Sequence, residues 1–211
     1  METNDLIKTL ARDARAAGPS LTATLAGALL PALLVAAVVF FAVLGPRPDF
    51  MAAAATLRFL LKFVVTGVLA ATAFACLPAL LRPGAQNRAM PLLLLAPAII
   101  AVAVLVEFTA IPRSDWAARW IGTNNLVCLA CIPLIGAGPL AVFLAALRRG
   151  APTRPALAGA VAGLVAGGIG ALFYAAHCTD DSPFFVATWY GIAIAVLALL
   201  GAALGRRLLR W

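Results

Sequence analysis

Charge is what this chain lacks most. Asp, Glu, Lys and Arg make up 11% of its 211 residues, against roughly a quarter in soluble domains. That leaves too little polar surface to cover a folded body in water, so a water-soluble globule is excluded. Acids are the scarcer sign, 8 against 16 Lys and Arg, and the reactive inventory is short: one histidine and four cysteines. There is no HExxH, no GxSxG and no GxxxxGK[ST], and no pair of carboxylates falls inside an apolar run. Metallohydrolase, nucleophilic and NTPase chemistries each lack parts. The chain reads as a non-enzyme with no catalytic residue to assign and no cofactor.

What is present is apolar length. Hydrophobic residues are 64% of the chain. A hydrocarbon core about 30 Å thick needs about 20 apolar residues at 1.5 Å each. Six such windows occur, at 22–44, 62–82, 90–111, 124–147, 155–176 and 184–205. Charged or turn-forming connections separate them: GPRPD at 45–49, RPGAQNR at 82–88, PRSD at 112–115, RRGAPTRP at 148–155 and HCTDDSP at 177–183. The fold class expected is all-α, a polytopic bundle of six transmembrane helices. The division expected is an N-terminal amphipathic segment at 1–21, a membrane domain at 22–205 and a basic tail at 206–211. The first window is too long for the apolar stretch of a cleaved signal peptide.

Basic residues orient the spans. Lys8, Arg12, Arg15, Arg82, Arg88, Arg148, Arg149, Arg154, Arg206, Arg207 and Arg210 fall on one side, and only Arg47, Arg58, Lys62, Arg113 and Arg119 on the other. Both termini are expected in the cytoplasm. Membrane insertion and anionic lipid account for the excess of basic residues, so no direct contact with nucleic acid is expected, and the bilayer is the first partner.

Gly159, Gly163 and Gly167 recur at four-residue spacing, which lets another helix approach closely. Packing inside the bundle is one reading; a homodimer face is the other. Glu107 near the end of the third span, with Arg58 and Lys62 at the start of the second, lies at one depth. A structural ion pair of Glu107 with Lys62 or Arg58 is expected.

The cysteines divide by side. Cys76 lies near cytoplasmic Arg82, whereas Cys178 lies in the outer loop and Cys128 and Cys131 near the outer start of the fourth span. In an oxidising compartment Cys178 would pair with one of the last two, more readily with Cys128, since Cys131 is about 4.5 Å deeper along a helix. The run His177-Cys178-Thr179-Asp180-Asp181 groups imidazole, thiol and carboxylates, a mix suited to a soft or borderline metal on Cys178 and His177, although its spacing matches no standard zinc site. A redox-active thiol, a metal sensor and an inert loop all remain open. Cys178 is expected to be the more exposed thiol, beside an imidazole whose cationic form would favour thiolate.

At the N-terminus, Leu6, Ile7, Leu10 and Ala14 form an apolar stripe on a helix opened by Thr3 or Asn4, with Lys8, Arg12 and Arg15 elsewhere. It lies on the inner leaflet or docks against a cytoplasmic partner.

These blocks carry a resemblance. The DLIKTLARDA segment at 5–14, Cys128-Leu129 followed by Ile132-Pro133-Leu134, RRGAPTRPALAGAVAG at 148–163 and HCTDDSPFFVATWY at 177–190 resemble the NrsF family. Its members are bacterial inner-membrane anti-sigma factors, negative regulators of sigma F. The resemblance implies a protein that holds an extracytoplasmic-function sigma factor inactive at the cytoplasmic face and releases it under metal or oxidative stress. It implies two cysteines important to the response, which fall by motif on Cys128 and Cys178, with Cys131 an additional thiol and His177, Asp180 and Asp181 around them. The sigma contact it implies lies in the N-terminal segment, at Asp5, Leu6, Ile7 and Leu10. A small-molecule or metal-ion transporter is the competing reading, and would need a polar path through the bilayer.

Overall fold

The structure is a computed structural model and describes residues 3–5, 7–8, 20–82 and 88–209. Among these the chain is helical with no strand, and six helices are long and apolar enough to cross a membrane. They are α1 (Leu21–Val43), α2 (Leu57–Leu80), α3 (Met90–Ala110), α4 (Asn125–Leu147), α5 (Pro155–Ala175) and α6 (Pro183–Leu208).

Local chemistry sets the helix ends. Ser20 caps α1, its Oγ accepting from the Ala23 N–H at 3.1 Å, and Thr56 caps α2 by accepting from Phe59. That second cap moves the start of α2 back from the expected residue 62 to Leu57. Arg58 then sits in the first turn, and Lys62 lies one turn further in, with 0% of its surface exposed. In α3 the residues Met90–Leu94 run as a 3-10 turn ahead of Pro97, whose ring nitrogen has no proton for the carbonyl one turn back. Before α4 a short helix, Trp116–Ile121, stops at Gly122 with φ of 62°. The first turns of α6 include a π segment at Val186–Tyr190. α6 then continues through Arg206 and Arg207, so these two basic residues are helical.

Buried surface is unevenly shared. In α5, 67% of the apolar window is buried, against 11% in α3, so α5 is the axis of the bundle and α3 its periphery. The glycines explain why α5 can be central. A Cβ on Gly159 would strike the backbone of Gly201, and one on Gly163 the backbone of Leu197 and Ala198. Gly168 abuts Ala70 of α2, and Gly170 abuts Ile132 and Gly136 of α4. The four-residue glycine stripe is therefore occupied within the chain by α6, where α-carbons approach more closely than side chains would allow.

Most buried polar groups gather at one end. Arg47, Lys62, Glu107 and Ser182 lie near the loops at 44–56, 111–124 and 176–182, whereas buried Thr66 and Thr72 return their hydroxyls to Lys62 O (2.7 Å) and Val68 O (2.8 Å) of their own helix. Among the described residues the buried polar groups form no row across the bundle. The loop at 176–182 joins the other two: Arg47 N–H donates to Ala176 O at 3.0 Å, and Thr123 N–H donates to Asp180 Oδ2 at 3.0 Å, while Trp189 Nε1 of α6 donates to Trp120 O at 2.9 Å.

Candidate functional site

The site begins where α5 ends. The backbone N–H groups of His177 and Cys178 both donate to Tyr174 O, at 2.9 and 3.0 Å. This tight turn folds the Cys178 side chain back under the end of the bundle. Cys178 and Cys128 are both 0% exposed and belong to one apolar cluster, and Cys131 packs against it partly buried. The expected exposure of Cys178 is therefore corrected: the turn, not the sequence neighbourhood, decides it, and Cys131 is the more accessible of the three. All four cysteines are free thiols. The only two tyrosines of the chain, Tyr174 and Tyr190, stand beside Cys178 and Cys128 with ring centroids 5.6 Å apart, and neither buried hydroxyl has a hydrogen-bond partner of ordinary geometry.

Above the thiols lies a charge cluster. Lys62 Nζ is 2.5 Å from Asp181 Oδ1 and donates to Cys178 O at 2.8 Å. Arg47 Nη1 is 3.0 Å from Asp181 Oδ2 and 3.3 Å from the same Cys178 carbonyl, and the rest of its guanidinium holds Asp49 with two bonds of 2.6 and 2.7 Å. Two cations thus share one carboxylate and one carbonyl, tying the loop at 44–49 and the first turns of α2 to the loop at 177–182. Charge-assisted bonds of this kind are the strong ones. Asp49, held by the Arg47 guanidinium, has its carboxyl pulled below the ordinary carboxylate range.

Asp180 makes the second tie. Its carboxylate accepts from the N–H groups of Thr123 (3.0 Å) and Asn124 (2.8 Å) and from Asn124 Nδ2 (2.9 Å), at the start of α4 and one turn before Cys128. Gly122 makes room for this: at its positive φ a side chain is strained, and a Cβ would meet Phe185 and the Asp180 carboxyl. Glu107 makes the third tie. It takes Arg58 at 2.8 Å, Arg119 at 3.6 Å and the Ser182 hydroxyl at 3.5 Å. Arg58 is thus the near partner of Glu107 while Lys62 takes Asp181, because Lys62 lies a turn deeper and opposite the 177–182 loop.

His177 does not serve the thiol. Its Nδ1 is 2.9 Å from Gly45 O; a carbonyl only accepts, so this nitrogen carries the proton. The cation that acts on Cys178 is Lys62. Burial pushes the Cys178 thiol above its ordinary pKa, and the Lys62 charge opposes that shift in part. No three His, Cys, Asp or Glu among the described residues are gathered as a metal set, so the expected pair Cys178 and His177 finds no third ligand there: the imidazole is turned to the 44–49 loop.

Of the other expected residues, Asp5 and Ile7 are helical and exposed, while Leu6 and Leu10 lie outside the described residues. The structure thus brings together Cys128, Cys178, Asp180 and Asp181 with Lys62, which the sequence singled out for Glu107 and which meets Asp181 instead, and adds Arg47, Asn124, Tyr174 and Tyr190, which sequence reasoning missed. One signal was available: in a chain with two tyrosines, both flank the cysteine loop.

The model for the NrsF family, negative regulators of sigma F, matches residues 10–211. An anti-sigma-F factor NrsF from Caulobacter vibrioides (strain NA1000 / CB15N) is 36% identical with all of both chains covered. A probable anti-sigma-F factor NrsF from Azospira oryzae (strain ATCC BAA-33 / DSM 13638 / PS) is 32% identical over the whole of both. No solved structure matches the chain.

Proposed function

The chain belongs to the NrsF family of negative regulators of sigma F, and from that premise we propose that it is an inner-membrane anti-sigma factor whose buried outer thiols govern release of its partner. The partner is an extracytoplasmic-function sigma factor, held at the cytoplasmic face by the N-terminal segment containing Asp5, Leu6, Ile7 and Leu10. The signal is a thiol-reactive stress, an oxidant or a soft metal, acting from the periplasm on Cys178 and Cys128, with Cys131 as a reserve thiol and His177, Asp180 and Asp181 holding the loop.

The observation that carries this reading is the burial of Cys178 and Cys128 together beneath a loop pinned by Lys62, Arg47 and the Asp180 tie to α4. A reagent reaches these thiols only when the pins loosen. A peroxide would take the two thiols to a disulfide, two protons and two electrons passing to the peroxide to give alcohol and water. A soft metal would displace the two protons and hold both sulfurs. Either product joins the 177–182 loop to α4 in a new way and disturbs α5 and α6, which lead to the arginine-rich end. A tenfold loss of sigma affinity needs only about 1.4 kcal/mol between two states.

The test is co-purification of sigma factor with membranes, with and without peroxide or cadmium. The parent should release its partner on treatment, and the Cys128→Ser, Cys178→Ser double variant should not. Equal release from both would sink the thiol mechanism, and absence of any bound sigma factor from untreated membranes would sink the reading as a whole.

A further inference from the structure

Apart from the thiols, the same end of the molecule holds an open cavity of about 690 Å³. Its walls are the start of α2, with Thr56 and Arg58, the stretch from Ala118 to Thr123 apart from Trp120, and the loop 179–182. Arg58 and Arg119 reach Glu107 from two elements. Arg58 places Nε and Nη2 on Glu107 Oε2 at 3.1 and 2.8 Å, and Arg119 comes no nearer than 3.6 Å to Oε1. The Glu107 side chain is 4% exposed, whereas those of the arginines are 43% and 37% exposed. One buried carboxylate therefore stands between two accessible guanidiniums. A guanidinium carries five N–H donors, and among the described residues Arg119 has no other acceptor.

The acids on the opposite wall are already occupied. Asp180 is taken up by the Thr123 and Asn124 N–H groups and the Asn124 amide, and Asp181 by Lys62 and Arg47 from behind. Five cations (Arg47, Arg58, Lys62, Arg113, Arg119) and five anions (Asp49, Glu107, Asp115, Asp180, Asp181) balance formally at this end. Their hydrogen bonding does not balance: the acids are well bonded, and the arginine wall is under-bonded and faces open space. Thr179, whose hydroxyl oxygen accepts from Asn124 Nδ2 at 2.9 Å, keeps its own O–H to donate.

We infer that the cavity between Arg58, Arg119 and Thr179 is a binding site for a phosphate-type oxyanion. The fork geometry of arginine matches such a group, and a partly enclosed pair of guanidiniums strengthens the match. The oxyanion would come from a free anion or from the headgroup of an anionic phospholipid. A lipid source is near at hand, since Trp116, Trp120, Phe108 and Phe184 cluster beside the cavity, with Trp120 stacked on Phe184 at 5.2 Å, as aromatic side chains do at a bilayer interface. The bound anion competes with Glu107 for both arginines. Glu107 also receives the Ser182 hydroxyl, next to Asp181 of the thiol loop, so occupancy alters how that loop is held. The site stands on its own geometry and does not require the thiol mechanism.

The experiment uses the full chain in detergent. Inorganic phosphate is titrated against sodium chloride of equal ionic strength while thermal unfolding is followed, and phosphatidylglycerol retention from mixed phosphatidylcholine nanodiscs is read by native mass spectrometry. The expected result is saturable stabilisation by phosphate or selective retention of phosphatidylglycerol. Either should be weakened about tenfold in Arg119→Gln, less in Arg119→Lys, and not in Arg113→Gln, whose guanidinium lies over Trp116 and takes no part in the cavity wall. A response to phosphatidylglycerol alone assigns the lipid source, and a response to phosphate assigns the free anion. No saturable response to either ligand, or an equal response in Arg119→Gln, overturns the site. Removing Arg119 leaves the Arg58 to Glu107 pair in place, so loss of binding is separable from loss of fold. The readout needs no sigma factor, so its failure is distinct from failure of the proposed function.

Discussion

At the scale of single residues, Lys62 is where burial and charge conflict most sharply. Its ammonium is removed from water entirely and repaid by the Asp181 carboxylate, the Cys178 carbonyl and the face of Phe59 5.0 Å away. Lys62→Met should lower thermal stability in detergent by about 2 kcal/mol, less than for a fully orphaned buried acid because Arg47 still holds Asp181. No measurable loss would show that the cluster is dispensable. Cys178 supplies a second expectation. A thiol whose pKa is raised by burial stays protonated in the folded chain while the unfolded chain ionises near the ordinary value of about 9. Its contribution is therefore complete below about pH 9 and is lost as pH rises toward the folded pKa, because the unfolded state then binds fewer protons. Cys178→Ala should flatten that alkaline loss of stability; an unchanged profile would place its origin elsewhere. Maleimide labelling of Cys178 at neutral pH should be slow in the parent and faster in Asp180→Ala, which cuts the tie to α4.

Among the elements, α5 is the most constrained, since three neighbours approach its backbone through glycine. Gly163→Leu and Gly201→Leu should each prevent recovery of a folded bundle, because the new side chain meets backbone, which cannot rotate away. Gly27 is the internal control: nothing lies within 4 Å of a Cβ built there, and Gly27→Ala should be neutral or stabilising by up to about 1 kcal/mol. Equal behaviour of the two sets in thermal unfolding would contradict the packing. The π segment of α6 belongs to this scale too. It holds Tyr190 beside Cys178, the sort of helix irregularity that gathers at functional sites.

For the whole molecule, the arrangement among the described residues is polar at one end and apolar through the middle, with Arg82, Arg148, Arg149, Arg154, Arg206 and Arg207 at the other end. If the cysteine loop faces the periplasm, a periplasmic reporter inserted near Asp180 will be active and a cytoplasmic reporter fused after Trp211 will also be active; silence of either refutes the orientation. Replacing Leu6 and Leu10 by Lys should free the sigma factor without affecting membrane insertion. Retention unchanged in that variant would shift the contact to the loops at 82–89 and 148–154.

The six helices and their approximate limits were legible in the sequence, because apolar length and the scarcity of charge are local properties that add along the chain. Their errors were local as well: the Thr56 cap was missed, and with it the depth of Lys62. Only the tertiary structure decided which cation meets which acid, that Cys178 is buried, that the glycine stripe faces α6 of the same chain, and that both tyrosines stand at the thiols. Arg47, Lys62, Glu107, Asn124 and Asp181 are far apart in the chain and share no period. They meet because α5 carries its C-terminal turn to the end of the bundle where the start of α2, the end of α3 and the start of α4 converge, and that convergence is a property of helix packing rather than of any segment's composition.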